Sequence, residues 1–245
     1  MELYILFISF FLVALIYSSV GFGGGSSYLA LMAQPFFGLM PDTIRPAALL
    51  CNIVVVTGGT YVYYKEGKVK VGEIWPFIVA SVPMAFIGGY WKLKDDTFFI
   101  LLGFTLLIAA FFLWLKPKSE APQTNPVSGQ VLLGGGIGML SGLVSIGGGI
   151  FLSPILHLLN WFDAKKISAL ASVFILVNSL GGLIGQATSG AHFNWPLILP
   201  LLMAVLLGGQ LGSRLGAKRF NAVYIRRITA LLIFFAAINI LKDHL

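Results

Sequence analysis

The chain has 245 residues, of which 58% are hydrophobic and only 10% charged, and its mean hydropathy is +0.91. A soluble domain carries roughly 25% charged residues, so this one could not cover its own surface in water and belongs in a membrane. The net charge of +7 does not point to nucleic acid, because the basic residues lie between apolar runs, where they mark a cytoplasmic face. The single cysteine, Cys51, excludes an intrachain disulfide and a cysteine-ligated metal site. Without HExxH or CxxC spacing, no metal or other cofactor is expected.

In chain order, the apolar stretches of the first half are 3–20, a short piece 26–39, 44–64, 73–92 and 97–115. Met1–Phe11 lacks a basic n-region and a small-residue cleavage site, so it reads as the start of the first membrane helix rather than a secretory leader. A polar, proline-rich loop over 116–128 carries Pro117, Pro122 and Pro126 and reads as the cytoplasmic hinge between halves 1–115 and 129–245. The second half repeats the pattern with 129–145, a short piece 150–162, 165–187, 195–213 and 220–241.

The short pieces decide the topology. At 1.5 Å per residue, 13 or 14 residues reach about 20 Å, short of the roughly 30 Å hydrocarbon core. They either extend the preceding helix or turn back. If they turn back, one face receives Lys65, Lys68, Lys70, Lys116, Lys118, Lys165, Lys166, Arg214, Lys218, Arg219, Arg226 and Arg227, and the other only Arg45, Lys92, Lys94 and Lys242. Extension gives a weaker separation, so the positive-inside rule favours turning back. Each half then has five segments, an odd number, and the second enters with opposite polarity. The expected architecture is an all-α membrane protein of two inverted repeats. Each has four membrane helices and one short re-entrant half-helix, and both termini lie outside a bacterial cytoplasmic membrane.

Each short piece follows a glycine triplet. Val20-Gly21-Phe22-Gly23-Gly24-Gly25 and Val144-Ser145-Ile146-Gly147-Gly148-Gly149 occupy matching places in the two halves. Glycine costs about 1 kcal/mol against alanine in a helix, so both triplets read as helix breaks. Matched breaks in two halves are the pattern of a secondary transporter's binding site. A helix starting after Gly25 or Gly149 offers unpaired N–H groups and a partial positive charge. Glycine lets an oxyanion approach that backbone. Irregular backbone at membrane depth persists only where it faces protein or a watery cavity. An anion held between the two turns is therefore the expected ligand. Its predicted site comprises Gly23, Gly24, Gly25, Ser26, Asn52 and Thr57 from the first half and Gly147, Gly148, Gly149, Ser153, Ser172 and Asn178 from the second. Isolated pairs such as Gly58-Gly59, Gly88-Gly89 and Gly208-Gly209 read instead as close helix crossings.

The halves also share an Asp followed three residues later by a base, Asp42/Arg45 and Asp163/Lys166, which reads as a cap with helix-dipole support. Arg45 and Lys166 sit at helix starts on opposite faces, where they could draw anions to each entrance, but they read rather as snorkelling anchors. His157, within the second short piece, could relay a proton or sit wet at its outer end. No Asp or Glu lies mid-span, which disfavours a carboxylate proton relay.

The stretches Gly21-Phe22-Gly23-Gly24-Gly25 and Gly142-Leu143-Val144-Ser145-Ile146-Gly147-Gly148-Gly149-Ile150-Phe151-Leu152-Ser153-Pro154, with Ala169-Leu170-Ala171-Ser172 after the second, resemble the TauE/SafE family of sulfite and organosulfonate transporters. The resemblance spans the chain. It implies export or uptake of sulfite, thiosulfate, sulfonates or related organic anions by alternating access. An anion channel built on the same elements is the alternative. An intramembrane enzyme is not expected, because Ser145, Ser153 and His157 find no buried acid or second His to complete a catalytic arrangement. The expected partners are the small anion, the lipid bilayer and a second copy in a homodimer, with no nucleic acid.

Overall fold

Ten α-helices account for nearly all of the described residues in the computed structural model, which are 2–19, 23–67, 71–115, 126–215 and 222–245. They are α1 (Glu2–Ser19), α2 (Gly25–Met32), α3 (Pro41–Lys65), α4 (Val71–Tyr90), α5 (Asp95–Trp114), α6 (Val127–Val144), α7 (Gly149–Leu159), α8 (Ala164–Thr188), α9 (Trp195–Leu215) and α10 (Ala222–His244). Six of them are long and apolar enough to cross a bilayer. Large side chains such as Phe111, Leu132, Ile184, Met203 and Phe235 stay exposed on their outer faces, as lipid contact requires. The chain is an all-α membrane protein.

Local chemistry sets most of the boundaries. Helix α2 is shorter than the 26–39 expected, because Pro35 has no N–H to give and restricts Gln34. Gln34 sits in extended backbone and donates from its side chain to the Ala30 carbonyl at 2.7 Å, and a 3₁₀ turn over Pro35–Phe37 ends at Gly38 with φ +56°. Helix α6 ends on Ser145 at φ 61°, and Gly147 and Gly148 follow at +85° and +82°. Three left-handed residues within four positions redirect the chain, and two of them are glycine because other residues adopt that region at a cost. Helix α8 is capped by Asp163, whose carboxylate accepts the Lys166 N–H at 3.0 Å. Asp42 lies in the first turn of α3, where Pro41 occupies the first position.

The packing follows the small residues. Helix α4 lies along α6 and α8, α1 along α9, α5 along α10, and the two longest helices, α3 and α8, pack against each other. On the α4–α6 seam, a Cβ added at Gly134 would strike the Phe77 carbonyl, at Gly138 the Ser81 carbonyl, and at Gly142 the Ala85 carbonyl. On the α4–α8 seam, Gly185 abuts the Phe86 carbonyl and Lys166 reaches Glu73. Residue numbers rise together in every pair, so α4, α6 and α8 run parallel. Helix α1 runs parallel to α9, with Phe11 against Gly208 and Leu15 against Gly212. Helices α3 and α8 are antiparallel, as Leu49 against Gly182, Asn52 against Ser179 and Gly59 against Ser172 require.

Gly88, Gly89 and Gly208 are close crossings, as the sequence suggests, but Gly58 and Gly59 are not. A Cβ at Gly58 would meet nothing within 4 Å, and one at Gly59 would meet only the Ser172 hydroxyl at 3.3 Å. Beside them, a narrow cavity of about 40 Å³ lies between α1, α3, α8 and α9. The expected hinge falls almost wholly outside the described residues, as do Gly21 and Phe22.

Candidate functional site

The two glycine turns meet at one side chain. Asn52, in the middle of α3, has no exposed surface. Its carbonyl oxygen accepts the Gly25 N–H at 3.2 Å, and its amide donates to the Ile146 carbonyl at 3.2 Å and to Ser179 Oγ at 3.1 Å. One amide thus ties the start of α2 to the turn before α7 and to the middle of α8. A Cβ on Gly23, Gly25 or Gly147 would collide with the Asn52 side chain, and one on Gly25 also with the Ile146 carbonyl. Close approach demands glycine here, to Asn52 at Gly23 and chiefly to the Ile146 carbonyl at Gly25, and at Gly147 positive φ adds to the approach of Asn52.

The two turns are not built alike. Gly148 has positive φ, whereas Gly24 sits at φ −95°. A methyl at Gly24 is obstructed by the ring of Tyr28, one turn on, which stacks on Phe10 with centroids 4.5 Å apart. In α2 the first helical bond is Tyr28 N–H to the Gly24 carbonyl, and in α7 Phe151 and Leu152 both donate to the Gly148 carbonyl. The amides of Ser26 and Ser27, and of Gly149 and Ile150, therefore lie outside the helical ladder. The Gly25 amide also lies outside it, and Asn52 takes it up.

The other expected site residues divide. Ser26 and Ser153 are buried near the two helix starts. Ser172 lines the cavity between α1, α3, α8 and α9, together with Ser18, Val55, Gly59, Leu206 and Gln210. Asn178 is fully buried on α8, with its amide donating back to the Phe174 carbonyl at 2.8 Å and its Oδ1 without a partner. Thr57 is exposed and donates to the Ile53 carbonyl of its own helix at 2.7 Å, so the structure does not bring it to the turns. His157 lies half-buried in the last turn of α7.

Ser179 was not among the expected residues. Its signal was the small-residue face it shares with Gly182 and Gly185 one and two turns on, the face that packs on neighbouring helices.

Arg45 does not snorkel. It is 4% exposed and turns inward. Its Nε donates to Ser145 Oγ at 3.3 Å, while Nη2 faces the carbonyls of Gly88 at 3.5 Å, Gly89 at 3.3 Å and Gly142 at 3.5 Å. These carbonyls end α4 and α6, so two negative helix termini surround the guanidinium. The Phe98 ring lies 5.7 Å from its Cζ. Gln186 completes the cluster, its Nε2 donating to Ser145 Oγ at 2.7 Å. Lys166, the matching base of the second half, pairs instead with Glu73 at 2.6 Å and is 28% exposed.

The family model described as "Sulfite exporter TauE/SafE" matches residues 6–240. The chain is 34% identical over 188 residues to the probable membrane transporter protein y4hK of Sinorhizobium fredii, covering 74% of this chain and 75% of that one. It is 28% identical to the probable membrane transporter protein YunE of Bacillus subtilis, over 73% of this chain and 75% of that one. A probable membrane transporter protein of Methanocaldococcus jannaschii, MJ0441, is 26% identical over 73% of this chain and 70% of its own. No solved structure matches the chain. With a family match over almost its whole length and six helices among the described residues able to span a bilayer, this multi-pass protein is a membrane transporter rather than an enzyme, and it belongs to the TauE/SafE family.

Proposed function

We propose that the protein is a secondary transporter of small oxyanions, of the sulfite, thiosulfate and sulfonate class, working by alternating access between two inverted repeats. The observation that carries this reading is the convergence of both glycine turns on Asn52. It brings the starts of α2 and α7 together at buried backbone with four amides outside the helical ladder, as an oxyanion site requires.

The packing supports the inverted repeats. Exchanging each helix for the one five places along maps the α1–α9 pair onto α6–α4 and the α3–α9 pair onto α8–α4, and leaves α3–α8 and α5–α10 in place. Helices α6 and α8 run parallel, so α7 must carry the chain back between them. Its 11 residues reach about 16 Å, which suits a re-entrant half-helix. By symmetry α2 does the same, the basic residues concentrate on the Lys166 face, and both termini lie outside.

Alternating access explains the asymmetry of matched seams. The α4–α8 seam closes backbone on backbone, while its counterpart between α3 and α9 holds the cavity. The barrier thus stands at the Arg45 end and the path opens towards the Lys65 end, an inward-open arrangement. The reading is tested in proteoliposomes by uptake of labelled sulfite and thiosulfate. Saturable uptake with counterflow from a preloaded lumen is expected. Unsaturable flux with single-channel conductance would replace the transporter by the channel, and no flux of either anion would end the small-oxyanion reading.

A further inference from the structure

Arg45 is a cation in the core of a membrane protein with no carboxylate partner. Asp42, one turn earlier on α3, is the acid that acts on it, yet it is exposed and makes no ion pair with Arg45. In contact with it, the charge is met by dipoles and the Phe98 ring, with no ion pair. A bare charge at membrane depth is costly and marks function by default, and helix C-termini contribute only fractional charges. The guanidinium is also incompletely used. A guanidinium has five N–H donors. Nε makes one bond, Nη2 shares its two N–H groups among three carbonyls at long distances, and Nη1 makes none. Nη1 is free to meet one oxygen of an oxyanion, and the Nη1–Nη2 edge can hold two once the long carbonyl bonds to Nη2 are exchanged.

Gln186 supplies a second, independent observation. It is 2% exposed and its Oε1 has no partner. Turning the amide over would let Ser145 donate to Oε1 and would leave the NH₂ group unpartnered, so in either orientation one polar atom of the amide stands ready. In the turned form, Nη1 and the Gln186 amide present donors only, which is the chemistry of an anion site. Nearby, the ends of α4 and α8 flank an open vestibule of about 540 Å³ lined by Tyr90, Trp91, Lys92, Thr188 and Ser189. Tyr90 follows the Gly89 that Arg45 contacts, and Lys92 gives this mouth a positive charge.

We propose that Arg45, Ser145 and Gln186 form an oxyanion-recognition station on the vestibule side of the transport path. In the closed seam the carbonyls of Gly88, Gly89 and Gly142 hold the guanidinium. When α4 parts from α8, the substrate's oxygens replace the Gly88 and Gly89 carbonyls of α4, so that binding a doubly acceptor-bearing anion and opening the seam are one event. This rests on the alternating-access reading above and names the residue that recognises charge within it.

The test uses oriented proteoliposomes with labelled sulfite and thiosulfate applied separately to each face. Arg45→Lys keeps the charge and loses the planar fork, and half-saturation from the vestibule face should rise about tenfold. Arg45→Gln should raise it about a hundredfold or more, and Gln186→Leu about tenfold, while half-saturation from the opposite face shifts less than about threefold. Wild-type protein gives a readout independent of variant folding. Phenylglyoxal supplied from the vestibule face should modify Arg45 during turnover, mapped by mass spectrometry, and sulfite should protect it. Variants that lower only the maximal rate equally from both faces, or modification that sulfite leaves unchanged, overturn the station while the transporter reading stands. If wild-type protein moves neither anion from either face, the parent reading fails as well.

Discussion

Replacing Asn52 with leucine is the most direct test of the bridge between the turns. The side chains are close in volume, so the change is polar rather than steric. It leaves the Gly25 N–H and the Ile146 carbonyl without a partner at a site with no exposed surface, while the Ser179 hydroxyl can rotate to another acceptor. An orphaned buried backbone group costs about 1–3 kcal/mol, so two cost about 2–6 kcal/mol. The added methyl groups return little, because lipid is as apolar as leucine and gives no hydrophobic drive between helices. At about 2–4 °C per kcal/mol for a protein of this size, the thermal midpoint should fall on the order of 10 °C. The assay is tryptophan fluorescence on heating in detergent, for Asn52→Leu, Ser179→Ala and the double variant. Ser179→Ala alone should cost about 1 kcal/mol, and the double variant should cost less than the sum, since both single changes remove the same bond. A midpoint within about 2 °C of wild type for Asn52→Leu, on the same scale, would refute the claim that this amide holds the turns together.

Four further outcomes are expected. Gly148→Ala places a Cβ at φ +82° and 2.9 Å from Ile137 and Phe174; backbone strain of about 1–3 kcal/mol should lower the midpoint and abolish sulfite uptake. Gly142→Leu should sharply destabilise the protein, because the α4–α6 seam has no room for even a Cβ, whereas Gly58→Leu should leave the midpoint at or above wild type while blocking the cavity and uptake. Lys166→Gln removes a partly exposed ion pair with Glu73 and should cost about 1 kcal/mol, with the difference shrinking as salt is added. Cysteines at Glu66 and Gly190 in a Cys51→Ser background should be labelled from opposite faces, the first from the cytoplasm; labelling of both from one side would remove the inverted-repeat topology.

The sequence by itself determined the membrane environment, the approximate helix segments and the places where the helices break. These properties are local. Hydropathy follows from composition, a glycine triplet disrupts the ladder wherever it occurs, and Asp163 caps α8 from three residues away. It also singled out Asn52 and the two turns, because uncharged polar residues and glycines stand out in apolar runs. Tertiary structure decided everything that depends on which helix lies beside which. Gly58-Gly59 and Gly88-Gly89 are indistinguishable as dipeptides, yet one borders a cavity and the other a backbone crossing. Arg45 and Lys166 occupy matching places and read alike. One turns inward because the ends of α4 and α6 offer carbonyls, and the other pairs with Glu73 because the start of α4 offers a carboxylate. Thr57 and Ser179 are equally polar on paper, and only the rotation of α3 against α8 sends the first outward and the second to Asn52. A side chain's type sets which partners it can accept; the packing of helices far apart in sequence sets which of them it meets.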